Sequence, residues 1–188
     1  RISLSNNDSG GTGGLNSTSG NTVFGYLAGQ SIDDGSHSNT FIGHGVSDAT
    51  MNDAINNVGV GSGAFSALTS GDNNVAIGTS SGNAITSGGS NVSLGTNTLA
   101  TATTALKNTA LGHNAMVNVK AGVAVDGCVA IGFESLYGNS SNTTGINGTV
   151  AIGNSALKAL TTGAGNVAIG YQAMDANTTS GQSTAVGY

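Results

Sequence analysis

The chain has 188 residues, a formal charge of −5 and only 7% charged residues, against about a quarter in an ordinary globular domain. Gly, Ser, Thr, Asn and Ala supply nearly two-thirds of it and Pro and Trp are absent, which argues against a conventional single-core enzyme. The four cations, Arg1, Lys107, Lys120 and Lys158, are scattered, so a nucleic-acid partner, which needs clustered positive charge, is not expected.

Disorder does not fit either, because disordered chains are usually highly charged and rich in Pro. A mean hydropathy of +0.05 and 37% apolar residues point to a thin core repeated many times. No run approaches the roughly 18 apolar residues of a membrane span; the stretch from Ala121 to Gly132 is short and broken by Asp126. Membrane insertion is therefore not expected. The single Cys128 excludes an internal disulfide framework, so stability must come from packing or assembly.

One pattern, Asn-Val/Thr-small-Ile/Leu-Gly, recurs along the chain. A degenerate copy, Ile2-Ser-Leu-Ser5, opens it. Then come Asn21-Thr-Val-Phe-Gly25, Asn39-Thr-Phe-Ile-Gly43, Asn57-Val-Gly-Val-Gly61, Asn74-Val-Ala-Ile-Gly78 and Asn91-Val-Ser-Leu-Gly95. Asn108-Thr-Ala-Leu-Gly112, Cys128-Val-Ala-Ile-Gly132, Thr149-Val-Ala-Ile-Gly153, Asn166-Val-Ala-Ile-Gly170 and Ser183-Thr-Ala-Val-Gly187 complete the series. The motif glycines are almost evenly spaced, with two wider intervals, Gly112 to Gly132 and Gly132 to Gly153. That regularity is the mark of a repeat architecture.

Each copy reads as a short strand, because its apolar positions are β-branched or large and lie two apart, on one face. The residue before Gly is always large (Phe24, Ile42, Val60, Ile77, Leu94, Leu111, Ile131, Ile152, Ile169, Val186), while the one between the pair is mostly tiny (Ala76, Ser93, Ala110, Ala130, Ala151, Ala168, Ala185). Hydrophobicity alone assigns the large pair to the inside: Val129, Ile131, Val150 and Ile152 are expected in the core, with the Ala column as a flat outer face. A second apolar strip four residues after each Gly (Phe65, Leu99, Met116, Leu136, Leu157, Met174) fails at Gly29, Ser47 and Gly82. It reads as a second strand in each rung. One rung buries too little to offset the entropy lost in ordering it, so the unit must be a stack.

The predicted fold is all-β: a parallel β-solenoid or β-roll of about eleven rungs of roughly 17–21 residues each, one repetitive segment over 1–188. The motif's Asn is expected to bond its counterparts in the rungs above and below. The Gly marks a bend where φ is positive or a side chain would clash.

Asn-Val-Ala-Ile-Gly-Tyr-Gln-Ala-Met at 166–174 resembles the Asn-Thr-Ala-Ile-Gly-Tyr-x-Ala-Leu repeats of phage and bacterial tail-fibre-like proteins. The shorter Val-Ala-Ile-Gly core is similar to the head repeat of YadA-type trimeric autotransporter adhesins. That head repeat is shorter than the one here, and the longer spacing favours the fibre group. The resemblance implies a homotrimer and an attachment role. The expected function is a section of a trimeric phage tail fibre in the virion, excerpted from a longer chain, with neighbouring fibre domains at both ends and a host-surface glycan or protein as receptor. The alternative is a bacterial surface adhesin or injection-system fibre, extracellular or at the cell surface.

Other chemistries fit less well. Hexapeptide acyltransferases return an apolar residue every six positions, but stepping from Ile77 gives Asn83 and Gly89. Calcium-binding nonapeptide repeats need Asp at a fixed phase; Asp8, Asp33, Asp34, Asp48, Asp53, Asp72, Asp126 and Asp175 do not provide one. An ice-binding face needs regular outward Thr, whereas Thr22, Thr40, Thr109 and Thr184 alternate irregularly with Val at a phase read as inward. No catalytic, cofactor-binding or metal site, and no enzyme activity, is expected. His44 and His113 share the phase after Gly and His37 lies in a turn, without partners at ligand spacing. Cys128 replaces a ladder Asn and reads as a small buried hydrophobe. Glu134, the only Glu, has Asp126 across a strand, a weak match to a paired-carboxylate glycosidase. Sequon-like triplets such as Asn139-Ser-Ser follow from composition. The longer rungs add residues around Val117–Gly127 and Tyr137–Gly148, adjacent in a stack, where inserted loops often bind.

Overall fold

The computed structural model describes residues 20–188, apart from 34, 124 and 140–142; the opening copy Ile2–Ser5 and the residues Asp8 and Asp34 lie outside the described residues. Ten strands of three residues form one parallel sheet in strict chain order: β1 Thr22–Phe24, β2 Thr40–Ile42, β3 Val58–Val60, β4 Val75–Ile77, β5 Val92–Leu94, β6 Thr109–Leu111, β7 Val129–Ile131, β8 Val150–Ile152, β9 Val167–Ile169 and β10 Thr184–Val186. Motif residues pair position for position, for instance Val129 with Val150 and Ile131 with Ile152. The chain is a β-solenoid of about nine turns. Nine steps of about 4.8 Å make the sheet about 43 Å long.

Two columns hold the register. Along the first, each Asn Oδ1 accepts the backbone N–H of the next rung's Asn, as from Asn74 to Asn57 at 3.0 Å and from Asn91 to Asn74 at 3.0 Å. The Asn74 amide also donates to Gly88 O at 2.9 Å. The second is the motif Gly: Gly78 has φ of +131°, and a Cβ there would stand 2.5 Å from Gly95 O. No L side chain suits that backbone or that gap. Both expectations about the motif's ends hold.

The faces are the reverse of the expectation. Ala76, Ala110, Ala130, Ala151 and Ala168 are fully buried in the core, whereas Ile77, Leu94, Leu111 and Ile169 keep 37–40% of their surface exposed. Ile131 and Ile152 are half-buried, with Val129 and Val150 beside them. The reason is room. Large side chains reach the narrow interior from the turns, among them Leu68, Ile85, Leu99, Leu136, Leu157 and Leu160, all fully buried. Opposite them the strand has space for little more than a methyl group. Where the strand does send a large residue inward, Phe41, the next rung answers with Gly59, whose Cβ would lie 3.1 Å from that ring.

The second strip is buried as expected, Met174 only in part, but it is not a strand. Phe65, Leu99, Met116, Leu136, Leu157 and Met174 sit in turns with φ of 49–55°, the left-handed region that non-glycine residues seldom take. Burial of a large side chain, worth about 1.5–3 kcal/mol, offsets a backbone cost of about 1–3 kcal/mol. The gaps in the strip are filled by neighbours: a Cβ on Gly82 would stand 2.9 Å from the Phe65 ring.

With the Ala column inside, enlarging it should destabilise the subunit. Ala151→Leu is expected to lower stability by about 1–3 kcal/mol through overpacking, read as a drop in the guanidinium midpoint. An unchanged midpoint would mean that the interior has room the geometry denies.

Candidate functional site

The main surface feature follows from the reversed faces. Position one of each strand (Thr or Val) and position three (Ile, Leu, Val or Phe) point outward, giving two apolar columns down ten rungs. Val92 and Leu94 are 41% and 40% exposed, and Phe24 53%. At about 7 to 10 Å wide and 43 Å long, the stripe covers on the order of 400 Å², the size of the largest apolar patch on a typical monomer, which is often functional. Thr22, Thr40, Thr109 and Thr184, read as inward, belong to this outward face. They share it with bulky alkyl groups, so it is no hydroxyl array.

Each edge of the stripe carries its own column. After the motif Gly come Tyr26, His44, Ser62, Thr79, Thr96, His113, Phe133, Asn154, Tyr171 and Tyr188, all exposed. Successive rings stack: Tyr26 on His44, His113 on Phe133 and Tyr171 on Tyr188, with centroids 5.5 Å apart and planes within 22°. The two histidines are therefore members of this stacked column. The opposite edge, before the Asn ladder, holds Gly20, Ser38, Asn56, Asn73, Ser90, Lys107, Gly127, Gly148, Gly165 and Gln182, all with left-handed φ. Just outside it, Asp72 and Asp126 accept the N–H groups of Ile55 and Leu106 at 2.8 and 3.0 Å. Their shared phase, two before the ladder position, is visible in the sequence once the ladder is aligned.

The other candidates have structural partners. Glu134 and Asp126 lie at opposite ends of β7, and Glu134 instead pairs with Lys158 at 2.6 Å. That carboxylate, by hydrogen bond and charge, holds the Lys158 ammonium above its ordinary pKa, and Lys158 lies 5.8 Å over the Tyr137 ring. His37 is exposed with Nδ1 3.1 Å from Ser38 Oγ. Among the described residues no three His, Cys, Asp or Glu side chains gather as metal ligands, and no helix is long and apolar enough to cross a membrane. The two longer rungs do lie against each other, through the pairing of Asn118 with Gly138 and the bond from Lys120 N to Thr143 O at 3.2 Å. Buried Val119, Val125 and Ile146 anchor them.

Cys128 is buried within the amide ladder. Its N–H donates to Asn108 Oδ1 at 2.8 Å and its thiol to Ile146 O at 3.1 Å. Next to it, Thr149 takes a ladder place with its buried hydroxyl unpartnered. A buried feature absent from the sequence reading is a hydroxyl trio, in which Ser81 Oγ, Ser93 Oγ and Thr98 Oγ1 lie 2.7–2.9 Å apart inside the solenoid. The small inward column leaves room for it. No family model matches the chain, and neither a curated protein nor a solved structure matches it at significance.

Burial pushes the Cys128 thiol up from 9.0 to about 11, against the opposing N–H groups of Thr149 and Gly148. A thiol raised in the folded state contributes stability that is complete below pH 9 and is lost as pH climbs towards 11. The native chain should therefore leave a disulfide reagent unreacted at pH 8 and react on denaturation. Between pH 9 and 11 it should lose about 2 kcal/mol that Cys128→Ser does not lose. Rapid labelling of the native thiol would contradict the burial.

Proposed function

We propose that this chain is a section of the shaft of a parallel homotrimeric phage tail fibre, a structural element that holds a receptor-binding part away from its base. The observation that carries this reading is the outward apolar stripe. A thin solenoid that turns the third residue of every described strand out, through all ten described rungs, leaves on the order of 400 Å² of largely alkyl surface for other copies to cover. Three stripes around one axis would enclose it. The Asn-Val-Ala-Ile-Gly-Tyr motif and the long spacing of its copies favour a fibre over the adhesin alternative. The paired long rungs around Val117–Gly127 and Tyr137–Gly148 are the surface we assign to a host glycan or protein, since insertions in a stacked repeat often fall on a binding face.

The interface follows the corrected faces. Ile152→Lys places a charge on the outward stripe and leaves the interior untouched. Light scattering should give three times the 18.1 kDa chain mass for the unaltered protein. Ile152→Lys should give one chain mass with the β-sheet circular dichroism retained. An unaltered chain that scatters as a monomer would end the trimer reading.

A further inference from the structure

The stripe alone falls short of a standard interface, in which each partner contributes about 800 Å². Counting both bordering columns, the face is about six residues or 20 Å wide, and about 43 Å of it comes to roughly 850 Å². In a trimer that face is divided between two neighbours, so each pairwise contact draws on one rim of each subunit as well as on part of the stripe.

The compositions of the two rims are matched to each other in most rungs. Every strand runs from the left-handed rim to the ring-bearing rim. In the rungs of Gly20, Gly127 and Gly165 the opposite rim carries Tyr26, Phe133 and Tyr171. In the rungs of Asn56, Asn73 and Ser90 it carries only Ser62, Thr79 and Thr96. The remaining rungs are mixed: His44, His113 and Tyr188 stand opposite Ser38, Lys107 and Gln182, and Asn154 opposite Gly148. The ends of one strand are too far apart for these residues to touch within a subunit.

The subunit itself has no use for the missing side chains. A Cβ on Gly127 or Gly148 would meet nothing within 4 Å, and one on Gly20 or Gly165 only ordinary contacts at 3.9 and 3.8 Å. The left-handed backbone does not demand glycine here either, since Ser38, Asn56, Lys107 and Gln182 adopt φ of 53–61° in the same column. What the glycines free is space outside the subunit, and the exposed rings are groups of the size to use it.

We propose that the ring-bearing rim of one subunit packs, in the same rung, on the glycine-bearing rim of a second copy of this chain. The inference rests on the trimer reading and deepens it. A rim that meets the opposite rim is a heterologous contact, which closes into a ring when the rotation permits. Matching rungs require all chains to run in the same direction with no stagger. Rings such as Phe133 and Tyr171 then cover the seam between neighbouring stripes, while the rungs of Asn56, Asn73 and Ser90 meet hydroxyls.

Paired cysteines test the seam, with the buried Cys128 out of reach of the oxidant. Gly148→Cys with Asn154→Cys in one chain, and separately Asn73→Cys with Thr79→Cys, place thiols on the two rims of one rung. After mild oxidation both doubles should run as covalent trimers on a non-reducing denaturing gel, and no single variant should exceed a dimer. The second pair keeps the test sound if the first fails to fold. Covalent dimers as the end product from the doubles would overturn the three-fold seam. Trimers by light scattering without cross-links at either rung would overturn the rim pairing and leave the trimer standing. Monomers by light scattering would overturn both.

Discussion

Parallel strands hydrogen-bonded in register, one rung per step of about 4.8 Å, set the terms for everything else in this molecule. A residue type chosen once in the motif becomes a column, and the column must suit its own copies above and below. Asn can do so because one amide oxygen accepts from the next rung while the amide nitrogen reaches a carbonyl. Gly can do so because the bend brings backbone against backbone, as at Gly78 and Gly95. Ionised side chains stacked at that spacing would repel, consistent with a composition that is only 7% charged.

The same constraint shapes the interior. So short a turn encloses a small cross-section, and its bends fill that space with Leu, Ile, Met and Phe. The strand is left with Ala, Ser or Gly on its inner side and local exchanges of volume, such as Phe41 against Gly59, where the pattern departs from that rule. Polar groups are tolerated inside when they satisfy one another, as the hydroxyls of Ser81, Ser93 and Thr98 do. The ladder is weakest where Cys128 and Thr149 replace Asn, next to the two longer rungs, and there a buried hydroxyl goes unpartnered.

Function, on this reading, is a consequence of inversion. A strand that turns Ala inward must turn Val and Ile outward, and a single solenoid cannot cover them. Assembly would then be built into the repeat rather than added to it, with each rung supplying the same share of the interface. The rims would modulate that share through the presence or absence of a side chain at one left-handed position.

Much of this was legible in the repeat. The Asn-x-x-x-Gly spacing determined the parallel stack, the amide ladder and the glycine bend, because each follows from what a column of identical residues can tolerate. The burial of Leu99, Leu136 and Leu157 was also readable, though not their turn conformation, since left-handed leucine leaves no mark in a hydropathy pattern. The orientation of the strand was beyond the sequence. Alternation with period two distinguishes two faces but carries no sign, and the usual rule that large apolar residues go inside chose wrongly for Ile131 and Ile152. Only the tertiary structure shows that the turns have already filled the interior, and that the remaining volume admits Ala151 and Ala130 but not their neighbours.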